Sequence, residues 1–182
     1  MGKWAGIDLR ICTELRNIPY KPEPDKGIHP VVWLTKEPKK IDDIPELRKD
    51  HYMKRLVLAL NSEGGRFESF RCECLEEEQE NGIAAVFGVG FIYRDRRAFK
   101  DYAAQLMIAG EILGFMADSD TFENMAHPYT IEIHRVRLKD EDLIGWSVDV
   151  WHQSVSSNLD SAKQLRANAI EFLTSVLSKA YP

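Results

Sequence analysis

Apolar and polar positions alternate in two neighbouring stretches near the C-terminal end of the chain, Tyr129–Leu138 and Ile144–Gln153. A period of two predicts strands, and the charged run Lys139-Asp140-Glu141-Asp142 between them predicts a hairpin. In the second strand Ile144, Trp146, Val148 and Val150 fall on one face, and Gly145, Ser147, Asp149 and Trp151 on the other. In the first, Ile131 and Ile133 are out of phase with Val136 and Leu138, which predicts a bulge near His134–Arg135. Ile83–Tyr93 is apolar on both faces, the pattern of a strand in the middle of a sheet. Gly88 and Gly90 share one of those faces, where their missing side chains would let a helix pack closely. Leu56, Leu58 and Leu60 alternate with Arg55, Val57 and Ala59, which predicts another strand. A turn at Asn61–Gly65 and a strand over Arg66–Leu75 follow, with a bulge expected where Phe67 and Phe70 change faces. The acidic run Glu76–Glu80 reads as a solvated turn.

Helical spacing appears twice. Phe99, Tyr102, Ala103, Leu106, Ala109, Gly110 and Leu113 predict one helix over Arg97–Met116, capped by Asp95. Leu159, Ala162, Leu165, Ala169, Phe172 and Val176 predict a last helix, capped by Ser157 or Asn158. Pro45 suits the first turn of a short helix over Pro45–Tyr52. Residues 1–50 are otherwise irregular, with strand character at Trp4–Cys12 and Val31–Leu34 and the prolines Pro19, Pro22 and Pro24 close together. The segment Ile18–Pro30 is expected either to bind a partner or to wrap on the domain. The pattern predicts one α+β domain over residues 1–182. Its core is an antiparallel sheet of about five to seven strands with helices on one side, in the order α-β-β-β-α-β-β-α after the irregular segment. That order is similar to that of type III secretion chaperones, small acidic proteins, and the resemblance implies a protein-binding role.

At 182 residues the chain is long enough for one well-buried core. The net charge is −5, from 24 basic and 29 acidic side chains, so no basic platform for nucleic acid is expected. No apolar run is long enough for a membrane span, and the N-terminus lacks the apolar run of a signal peptide. The cysteines are Cys12, Cys72 and Cys74. An odd count with two thiols one residue apart predicts free cysteines and a reducing cytoplasm. No metal and no cofactor are expected. Gly88-Val89-Gly90 lacks the third glycine of a dinucleotide fingerprint, since residue 93 is Tyr93. Cys72-Glu73-Cys74 lacks the second pair of a zinc motif.

The nearest approach to a chemical constellation lies on the hairpin. Glu132 and His134 share one strand face, and Asp149, Trp151 and Gln153 share a face of the next strand. Brought together, they would place a carboxylate–imidazole pair, able to move protons, beside an indole. The primary expectation is a non-enzymatic cytoplasmic protein-binding module, such as an immunity, chaperone-like or adaptor protein. Its partner, another protein or a second copy, would meet a surface centred on Trp151 with Asp149, His134, Glu132 and Gln153. The alternative is a small enzyme or ligand-binding domain using the Glu132/His134/Asp149/Trp151 face. A deep pocket there favours a ligand and a flat patch favours a protein. Arg94, Arg96 and Arg97 at a helix start are candidates for binding an anion.

Overall fold

The computed structural model describes residues 8–23, 25, 29–117 and 129–180. Its single sheet has five strands: β1 (Asp8–Ile18), β2 (Phe67–Gln79), β3 (Gly82–Tyr93), β4 (Tyr129–Leu138) and β5 (Leu143–Ser156). They lie in the order β1-β4-β5-β3-β2. The β2–β3, β3–β5 and β4–β5 pairs are antiparallel, but β1 runs parallel to β4 along the edge. The sheet is therefore mixed rather than antiparallel. The helices are α1 (Pro45–Lys49), α2 (His51–Leu60), α3 (Arg96–Lys100), α4 (Tyr102–Ala117) and α5 (Leu159–Ala180). None of the described helices is long and apolar enough to cross a membrane.

Several further expectations change. The strand expected over Leu56–Leu60 is the second half of α2. Met53, Leu56, Val57 and Leu60 are buried at helical spacing while Leu58 is exposed, and the Asp50 carboxylate caps the helix by accepting from the Met53 amide. This replacement, together with β1, removes the likeness in element order to secretion chaperones. Val31–Leu34 forms no strand, and the Trp33 carbonyl closes a turn by accepting from the amides of Lys36 and Glu37. The long helix breaks at Asp101, whose extended backbone ends α3 and whose carboxylate caps α4 through the Ala103 amide. The break shifts the buried stripe to Gln105, Ile108, Ala109 and Ile112, leaving Leu106 exposed. The hairpin has no bulge at His134–Arg135, because the β4–β5 register is continuous. Val136 and Leu138 are buried on the second face instead, where Ile18 lines cavities with both. The bulge near Phe70 is present as a register shift between Ser69 and Arg71, and β2 runs on through Glu76 to Gln79. Residues 4–7 of the strand expected over Trp4–Cys12, residues 24 and 26–28 of the segment Ile18–Pro30, and residues 118–128 lie outside the described residues.

The two faces of the sheet follow from the register. Phe87, His152 and Tyr129 stand side by side across β3, β5 and β4, and Tyr129 Oη donates to the Ala169 carbonyl of α5 at 2.8 Å. This is the helix face, on which α2, α4 and α5 pack together. Residues of the opposite phase, Glu132, His134, Ser147, Asp149 and Trp151, point to the other face with Gly88, Gly90, Arg71 and Glu73. The two glycines thus do not admit a helix. A Cβ on Gly88 would run into the Trp151 ring, and one on Gly90 into Asp149 Oδ1 and the Phe70 ring.

Candidate functional site

The second face carries a pocket of about 540 Å³, between the sheet and the chain segment that leaves β1. Arg16, Ile18 and Tyr20 form one wall, Phe70, Arg71 and Glu73 the other, and His134, Ser147 and Asp149 the floor. The volume is that of a small-molecule site. The irregular segment is tied down at its far end. Thr35 Oγ1 donates to Glu68 at 2.8 Å, and Arg96 Nη1 donates to the same carboxylate at 3.0 Å. Arg96 also forks onto Glu141. It is therefore occupied by carboxylates, while Arg97 is exposed and Arg94 half-buried. α3, at five residues, offers little dipole for an anion.

The register brings the predicted hairpin residues together. Glu132 pairs with Asp149, and His134 with Ser147. His134 Nε2 lies 3.0 Å from Glu132 Oε2 and 3.6 Å from Asp149 Oδ2. Arg16 Nη1 approaches the same ring nitrogen at 3.2 Å. Arg71 reaches Asp149 at 3.5 Å and Glu73 at 2.6 Å, and its guanidinium stacks 4.5 Å above the Trp151 ring. Trp151 is thus half-buried between Gly88 and Arg71. Trp146, on the helix side, is half-buried too and packs on Tyr102. Gln153 is exposed beyond the pocket and bonds to Gln79.

The floor is buried and polar. His134 and Ser147 are 1% exposed and Asp149 is 2% exposed. Among the described residues, His134 Nδ1, Ser147 Oγ and Asp149 Oδ1 have no hydrogen-bond partner. Burial pushes the Asp149 carboxyl up to about 7, against the opposing pull of Arg71 and Arg16. Burial pushes His134 down, aided by Arg16 and opposed by its contact with Glu132, so its imidazole is neutral at physiological pH. A carboxyl titrating near neutrality beside a neutral imidazole is equipped to exchange protons, and two carboxylates with one imidazole are equipped to hold a cation.

Sequence reasoning missed Arg16, Tyr20, Arg71, Glu73 and Ser147 as site residues. The signal for Arg71 and Glu73 was their alternation with Cys72 and Cys74, which places them opposite the two glycines on β3. The cysteines take the other phase. Burial raises both thiols, Cys74 to about 12, and neither is a reactive thiolate. Comparison of the chain with family models, curated proteins and solved structures finds no match.

Proposed function

We propose that this protein binds a small polar molecule in the pocket between the sheet and residues 15–23. One observation carries the reading: three side chains that line one pocket, His134, Ser147 and Asp149, each hold a buried polar atom with no hydrogen-bond partner among the described residues. Native structures leave few such atoms without a purpose. Arg16 on the wall favours a ligand with an anionic group. The three free thiols fit a protein of a reducing compartment such as the cytoplasm.

The test is to denature the purified protein and identify by mass spectrometry any small molecule it releases. Trp151 emission then follows the binding of that compound, because Arg71 stacks on the indole. Arg71→Ala and Tyr20→Ala should retain less ligand than the unmodified protein. Equal retention by all three, or no molecule enriched by any, rejects the pocket as the site.

A second reading keeps a protein partner, or a second copy, on the open end of this face. The exposed Leu75 lies there in register with the half-buried Val86, which pairs with the exposed Gln153. An exposed apolar side chain on this face is the kind of anchor an interface uses. Leu75→Asp would abolish such an association in a pull-down or by size-exclusion chromatography and leave ligand retention unchanged.

A further inference from the structure

Three metal-type donors meet beside the pocket floor: His134 and Asp149 line it, and Glu132 adjoins them. One donor atom each from Glu132, His134 and Asp149 lies within 4.8 Å of the other two. The separations from His134 Nε2 are 3.0 and 3.6 Å. Donors bound at roughly 2.0–2.2 Å to one ion stand about 3–3.5 Å apart, so little movement separates this arrangement from coordination. All three residues sit on paired strands, which hold the backbones rigidly.

The cluster is also unsatisfied as it stands. To accept from Arg16, Nε2 must be bare, and to donate to Glu132 it must carry the proton. In the first case its lone pair faces a carboxylate oxygen, and Nδ1–H is a buried donor with no protein partner. In the second its N–H faces a guanidinium N–H, and Nδ1 is an orphaned acceptor. Asp149 Oδ1 lacks a protein partner in both. A divalent cation at Nε2 removes the conflict at that nitrogen: its bare lone pair and both carboxylates face the ion, and the proton sits on Nδ1. Arg16 is exposed, so its guanidinium has solvent to move into.

We propose that Glu132, His134 and Asp149 form a divalent-metal site of the Mn²⁺, Fe²⁺ or Zn²⁺ class, where the Arg16 guanidinium stands in for the cation in the metal-free protein. One imidazole nitrogen with two carboxylate oxygens suits these ions better than Ca²⁺, which takes oxygen, or Cu⁺, which takes sulfur. Three protein donors leave coordination positions open toward the pocket, where a ligand would complete them. The inference rests on reading the pocket as a ligand site and specifies what lies at its floor.

The experiment is a Mn²⁺ titration of chelator-stripped protein near neutral pH, followed by the loss of the free-ion electron paramagnetic resonance signal. Mn²⁺ has little affinity for the thiols, so Cys72 and Cys74 do not compete. The expected result is one ion per chain. Glu132→Gln and His134→Ala should each weaken binding by about tenfold or more, and Arg16→Ala should tighten it several-fold, since a competing cation is gone. No saturable binding at millimolar Mn²⁺, or an affinity that none of the substitutions moves, overturns the site. Should His134→Ala fail to fold by circular dichroism, the other two decide, because both alter side chains that reach solvent. Stripped protein that retains a small molecule but binds no Mn²⁺ overturns the metal and leaves the pocket reading in place.

Discussion

On the helix side of the sheet Phe87, Val89, Phe91, Ile131, Ile133, Val148 and Val150 are all at most 1% exposed. On the other side His134, Ser147 and Asp149 are nearly as buried, at 1–2%. On β4 and β5 the two sets come from adjacent positions, Ile133 beside His134 and Val148 between Ser147 and Asp149. Apolar burial contributes roughly 25 cal/mol per Å² to stability, whereas a buried polar atom contributes only what its hydrogen bonds return. The helix face accounts for the fold. The pocket face, with unpaired atoms at equal depth, does not repay its burial in stability, and that difference is the physical argument for a function there.

The largest effect should come from the helix face. Phe87 is fully buried and stacks on His152, 5.7 Å between centroids, with Tyr129 edge-on at 6.3 Å. Phe87→Ala removes a ring at the centre of the core and should cost about 3–5 kcal/mol in urea unfolding. A loss under about 1 kcal/mol would mean that this face is not the seat of stability.

On the pocket face the comparison sharpens with pH. The Asp149 carboxyl titrates near 7 in the folded protein, against an ordinary value of 3.8. Between those values the folded chain holds a proton that the unfolded chain has lost. Asp149 therefore lowers stability as pH rises from about 4 to about 7, and its contribution is fully present only below that window. Asn at this position does not titrate. In chelator, Asp149→Asn should gain on the parent protein across that window, by on the order of a few kcal/mol, at about 1.4 kcal/mol per pKa unit. His134, with its lowered pKa, acts in the opposite sense below about pH 6.5, and because it lies 3.6 Å from Asp149 the difference between the two proteins includes the coupling of the pair. A difference that stays flat from pH 4 to 8 would show that Asp149 is not buried as a carboxyl.

These contrasts also explain which features the sequence makes legible. The hairpin and α5 are long and strongly periodic, so their type follows from phase alone, and β3 follows from an apolar run bounded by turn residues. The grouping of Glu132, His134, Asp149 and Trp151 follows from the same phase once β4 and β5 pair without a slip. α2 was not legible as a helix because the short run Leu56–Leu60 satisfies both periods, and only its burial against α5 decides between them. β1 was missed beyond Cys12 because an exposed edge strand has no buried side to impose a pattern, and its parallel pairing with β4 leaves no local trace. Arg16 was lost with it. The glycines of β3 were read as room for a helix. What they make room for, Trp151 and Asp149, lies some sixty residues away on β5, and only the register reveals it.

Gly88→Ala tests that register directly. The added methyl displaces the Trp151 ring from beneath Arg71, which should cost about 1–3 kcal/mol through overpacking and shift the tryptophan emission. An unchanged emission spectrum with unchanged stability would place the ring elsewhere.

The smallest effect makes the finest comparison, because it sets one residue type on both faces. Ser147 and Ser154 are both on β5 and both buried, at 1% and 0%. Their phases differ. Ser154 sits on the helix face, where Oγ meets His152 Nδ1 at 3.4 Å, whereas Ser147 Oγ has no partner among the described residues. Ser154→Ala should lose about 0.5–1.5 kcal/mol with that hydrogen bond. Ser147→Ala gives up no hydrogen bond of its hydroxyl to the described residues, so its stability should stay within about 0.5 kcal/mol of the parent. Its effect should appear instead as weaker retention of whatever the pocket holds. If Ser147→Ala proves the more destabilising of the two and leaves retention unchanged, the hydroxyl is a structural group, and the asymmetry between the faces does not extend to this residue.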